Sequence, residues 1–167
     1  MIAPEFCRMM ARYNRWQNSS LVAAADVLSE ADRLAERGAF FGSIMGTFSH
    51  LLWADTLWMS RIDSWDVPAG DIPQSPTLVT KWDDYKIARQ KADGRIIDWE
   101  EDVSDSDLGG TLVYRTTGGR TREKPMALLV PHFFNHQTHH RGQVHAMLTA
   151  AGASPEATDL LVMPENT

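Results

Sequence analysis

The sequence predicts an all-α protein: an antiparallel four-helix bundle with a small β-hairpin before the last long helix. Three observations carry this. Apolar residues recur every three to five positions along four long segments, which is close to the helical period. Glycine- and proline-rich stretches punctuate the chain between them. One short stretch, TLVYRTTGGRTREKP, begins with strand-forming residues and carries Gly118-Gly119 where a hairpin turn belongs.

The first helix is expected from Pro4 to about Ser29. Phe6, Met9, Met10, Tyr13, Trp16 and Leu21 mark its apolar face, and Pro4 is tolerated in a first turn. A weaker helical piece, residues 30–42, ends at RGAFFGS, a loop with two glycines. Ser43 is placed to cap the next helix, Ile44 to about Ile62, whose apolar residues cover much of its circumference and mark it as central. After the loop DVPAGDIPQSP comes a third long helix, about Thr77 to Asp102, weakened at Gly94 by about 1 kcal/mol relative to alanine. DVSDSDLGG breaks the helical pattern. The last long helix runs from about Met126 to Ala150. Pro131 either kinks it or marks the start of its regular part, and the sequence leaves both open. Gly152 is a natural stop, followed by a short helix or loop.

A length of 167 residues fits one domain, 1–167, and 43% hydrophobic content supplies a core. The net charge of −6 argues against a general nucleic-acid binder. No apolar run approaches the roughly 20 residues that cross a bilayer, so no membrane partner is expected. One cysteine, Cys7, allows no intrachain disulfide and fits a reducing cytoplasm. It lies on a helical stretch and reads as a small buried hydrophobe. Pro4 and Glu5 close behind Met1 do not resemble a signal peptide. The acidic surface and apolar-rich helices point to a homodimer.

Five of the six histidines fall between residues 132 and 145. His132 and His136, and His136 and His140, stand at i,i+4, with Cβ atoms roughly 5–6 Å apart on one helix face. Two imidazoles so placed can converge on one metal. A third ligand must come from another helix, and His50 is the remaining histidine. It sits among Phe48, Leu51, Leu52 and Trp53, facing the interior. On spacing, two readings stand side by side: histidines with ordinary hydrogen bonds, or ligands of one ion. The spacing matches the histidines of H-E-x-x-H, but position 137 is Gln, so the general base of a zinc protease is absent.

The stretch NHQTHHRGQVHAML resembles the DinB-like (DinB/YfiT-like) family. The resemblance extends to YNRWQNSSLVAAA, FSHLLWADTLWMSRI and TDLLVM, and so spans essentially the whole chain. It implies an up-down-down-up four-helix bundle, often dimeric. It also implies a metal site made by His50, His136 and His140, holding nickel or zinc, with a fourth position left to water. Some relatives are similar to S-transferases that use low-molecular-weight thiols. The leading expectation is therefore a metal-dependent thiol transferase acting on a small molecule. A metal-dependent hydrolase comes next, and a non-catalytic metal-binding or structural dimeric bundle is the competing class.

Other motif residues carry narrower expectations. Arg141 pairs with an acid such as Asp55 or stays solvated. Gln143, three residues after His140, makes an interior hydrogen bond or orients water or substrate. His132 and His139 are substrate-facing or supporting candidates. Gly142 is expected to compensate its helix cost by close helix packing. Trp16, Trp53, Trp58 and Trp82 are expected in the core rather than as a binding platform.

Overall fold

A computed structural model describes residues 2–165. These residues are mostly helical, with six α-helices and one two-stranded antiparallel sheet. The long helices are α1 (Pro4–Asp26), α3 (Ile44–Ile62), α4 (Trp82–Asp102) and α6 (Met126–Ala150); α2 (Glu30–Leu34) and α5 (Asp105–Gly109) are short. Strands β1 (Thr111–Arg115) and β2 (Thr121–Pro125) pair with Thr111 opposite Pro125 and Arg115 opposite Thr121. The densest helix contacts run α1 with α4 and α6, and α3 with α4 and α6.

α3 is the central helix: every residue from Ile44 to Asp55 is buried. Ser43 caps it, its side chain accepting from the Gly46 amide at 3.0 Å. The largest fully buried apolar side chains include Phe48, Leu51, Tyr85, Ile96, Phe133, Phe134 and Leu148, contributed by α3, α4 and α6. Burying each such side chain is worth about 1.5–3 kcal/mol. Cys7 is fully buried, and burial pushes its thiol up to about 11, so it behaves as a hydrophobe. No described helix is long and apolar enough to cross a membrane.

Several boundaries differ from the sequence expectation, each for a local reason. α1 stops at Asp26 rather than Ser29, because Ser29 turns extended and caps α2 through the Asp32 amide. The weak helix expected over residues 30–42 stops at Leu34. Gly38 and Gly42 take positive φ, and the chain folds back with the Arg37 amide on the Gly42 carbonyl. α4 begins at Trp82, not Thr77, since Ser75–Thr77 form a 3-10 turn and Lys81 is extended. The expected break at DVSDSDLGG contains α5, nucleated by a capping box between Ser104 and Asp107. α6 runs unbroken from Met126, with Pro131 inside it. Proline near the start of a helix removes one amide bond to the preceding turn, which α6 tolerates beside the buried Val130 and Phe133.

Candidate metal centre

Two helices and two loops build the site. α3 carries His50, and α6 carries His136 and His140 one turn apart. Their potential ligand atoms all lie within 4.8 Å of one another. The His136 and His140 Nε2 atoms are 3.1 Å apart, and the His50 ring centre is 4.7 Å from that of His140 and 5.5 Å from that of His136. His50 and His140 are buried; His136 is half-buried.

The outer nitrogens explain which way the rings face. Ser75 donates its hydroxyl to the Ile72 carbonyl at 2.7 Å, so toward His50 it can only accept. His50 Nδ1 lies 2.8 Å from that Oγ and must carry the proton. His140 Nδ1 stands 2.8 Å from Gln143 Oε1, a pure acceptor, and must be protonated too. Both rings therefore hold their Nε2 lone pairs available. Phe41 stacks on His50 at 3.7 Å, 22° from parallel, and closes the site from the loop side. Burial, with the neighbouring imidazoles second, holds His50 and His136 down to about 3. Burial likewise lowers His140. All three are neutral at pH 7, the form that binds a metal.

This donor set fits a metal. The His140 Nε2 lone pair faces the His136 Nε2 at 3.1 Å, where His136 either donates its N–H or, as the other tautomer, turns a second lone pair toward a shared ion. Two nitrogens at Zn–N distances of 2.0–2.1 Å on a tetrahedral ion stand about 3.3 Å apart.

The DinB family model matches residues 1–167. The chain belongs to the DinB family. A DinB-like protein from Bacillus cereus of known crystal structure superposes with a TM-score of 0.63 at 19% identity, over 85% of this chain and 90% of that one. At that identity the likeness shows a shared DinB-like fold. No curated protein matches the chain.

In this DinB chain His50 and His136 form part of the wall of a cavity of about 310 Å³, with His132, Trp53, Trp58 and Arg61. His132 is thus cavity-facing, its ring 5.0 Å from that of Trp58. His139 is exposed beside His140, ring centres 4.8 Å apart, and does not line the cavity. The tryptophans divide: Trp16 is buried in the helix packing and Trp82 packs against the core, whereas Trp53 and Trp58 also wall the cavity.

Two expectations need correction. Asp55 does not pair with Arg141. It takes the Arg89 guanidinium at 2.6 Å, while Arg141 donates to Asn14 Oδ1 and lies over the Tyr13 ring. Arg89 also reaches Asp93 at 2.8 Å, and Asn18 and Asn14 donate to the same carboxylate. Nor does helix packing explain Gly142, which is exposed and would give a Cβ no neighbour within 4 Å. Sequence reasoning missed Phe41, Ser75 and Arg89. The first two lie on loops without periodicity, and Arg89 carries no motif.

Proposed function

We propose that His50, His136 and His140 hold a divalent transition metal, zinc or nickel, and that the chain is a metal-dependent transferase acting with a small thiol. The carrying observation is the cavity: two of the three imidazoles open onto it, and among the described residues no fourth His, Cys, Asp or Glu joins their cluster. A metal held there supplies positive charge that lowers the pKa of a thiol or water brought beside it. His132, exposed at the cavity wall with its pKa lowered by partial burial of the ring, is a side chain of that wall able to take the released proton. Trp53 and Trp58 exclude water from one side of a bound small molecule.

Hydrolysis is the second reading. It is weaker because no described residue lining this cavity is a carboxylate, and Gln137 is buried where a zinc protease has its glutamate. The scaffold is read as a single-domain four-helix bundle, cytoplasmic and homodimeric. A light-scattering mass near twice 18.7 kDa is the expected result, and 18.7 kDa itself would reject the dimer. The functional test is metal analysis of the purified protein, then a thiol-conjugation screen with the metal-loaded form. Stoichiometric metal with conjugation is expected. Metal without any conjugation would leave a binding protein.

A further inference from the structure

Among the described residues, the cavity beside the histidines carries one fixed charge, and that charge has no acidic partner within ion-pair distance. Arg61 lines it, while no described lining residue is Asp or Glu. The guanidinium lies over two aromatic faces, 4.8 Å from the Trp58 ring centre and 4.9 Å from that of Tyr114. One of its N–H groups donates to the Arg115 carbonyl at 3.0 Å. A guanidinium has five donors, so most remain for another acceptor. Among the described residues no carboxylate stands within ion-pair distance of it, whereas the buried Arg89 has two. In a chain with 22 acidic and 16 basic residues, an arginine held by rings and a carbonyl but by no acid is a prepared anion seat.

Its position relative to the histidines sets the shape of what fits. His50, Ala54, Leu57 and Arg61 recur at four, three and four residues, one stripe of α3, and all four line the cavity. Eleven residues of helix rise about 16 Å, and a long side chain leans toward its helix N-terminus. The guanidinium therefore stands on the order of 10 Å from the imidazole cluster. Between them the wall is apolar and aromatic: Trp53, Leu57, Trp58, Ile72 and Tyr114. We propose that the cavity takes a small molecule with an apolar or aromatic body and a terminal carboxylate, seated with the carboxylate on Arg61 and the other end toward His50 and His136. Which end reacts rests on the metal reading above; the anion seat does not.

The test uses phenylbutyrate and its neutral amide, phenylbutyramide, titrated into the full-length protein by calorimetry. Metal-free protein is measured first, so that a carboxylate–metal bond cannot enter, and zinc-loaded protein second. The wild type should prefer the acid by about tenfold, the scale of one charge-assisted pair. Arg61→Gln should bring the ratio near one while amide affinity holds, and Arg61→Lys should keep part of it. Raising salt should lower the wild-type acid affinity and leave the amide unchanged, a check that needs no variant. A wild type that binds both alike, that binds neither in the millimolar range, or whose preference survives Arg61→Gln overturns the proposal. If Arg61 merely clamps the hairpin, Arg61→Gln lowers the melting temperature and leaves the ratio alone. Zinc uptake is measured separately: no uptake with the preference intact defeats the metal reading only, and uptake without preference defeats the anion seat only.

Discussion

A histidine ligand is set as much by its outer nitrogen as by its inner one. Gln143 and Ser75 never reach the centre of the cluster, yet they decide that His140 and His50 present Nε2 lone pairs. Gln143→Leu or Ser75→Ala should each weaken metal affinity by about 10–100-fold with every ligand still present. Competition against a chelator measures this, and unchanged affinity would remove both residues from the site. The same rings make the metal-free protein acid-sensitive. Unfolded imidazoles titrate near 6.5, whereas burial holds His50 and His136 down to about 3 and lowers His140. Between those values the unfolded chain binds protons that the native chain refuses, so stability falls as pH falls from about 6.5 toward 3. Asp93, held up at about 6 by burial, works in the opposite sense, as do Asp55 and Glu100, which burial also raises, against four imidazoles once the lowered His132 is counted. The urea midpoint of metal-free protein should therefore drop between pH 7 and pH 5, and a rise would contradict the assignment. Spacing alone offers His132/His136 and His136/His140 with His50 as the third partner; the family resemblance is what singles out His50, His136 and His140, which the structure gathers. Ser75 and Phe41 were not legible, because the path of a loop, rather than a period, carries them to His50.

Between elements, one buried polar network links the four long helices alongside the apolar core. Asp55 on α3, Arg89 and Asp93 on α4, Asn14 and Asn18 on α1 and Arg141 on α6 form one buried chain of contacts. Arg89 and Asp55 are 2% and 1% exposed, so neither charge has water to fall back on. Arg89→Met should cost about 3–5 kcal/mol, because it strands two buried carboxylates without their cation. Native domains hold only about 5–15 kcal/mol in all, so chemical denaturation will register the loss; a change under 1 kcal/mol would mean the network is dispensable. Hydrophobic period located α3, α6 and the hairpin closely, since each has a continuous pattern and a clear start or turn. It misplaced the ends of α1, α2 and α4, where single side-chain bonds and glycine conformations overrule propensity. Asp55 faces arginines from two helices, and nothing in the sequence says which one wins.

At the scale of the whole molecule the question is whether the ion would hold the fold or merely sit in it. His50 joins α3 to α6 through the cluster, so a metal there crosslinks two long helices. The same helices already contact each other, and they bury Phe48, Leu51, Phe133, Phe134 and Leu148 in the core, all at most 1% exposed. Five such side chains, at about 1.5–3 kcal/mol each, exceed what the ion adds. That addition is the binding linkage alone, about 2.7 kcal/mol when free metal is a hundred times its dissociation constant. A small zinc domain lacks such a core and unfolds when the ion is removed. Chelation of this protein should therefore leave its helical circular dichroism intact and lower its melting temperature, and His140→Ala should do the same without chelator. Loss of most helical signal on chelation would mean that the metal is a structural staple, and the reading of an open, reactive centre on a self-sufficient scaffold would fall with it.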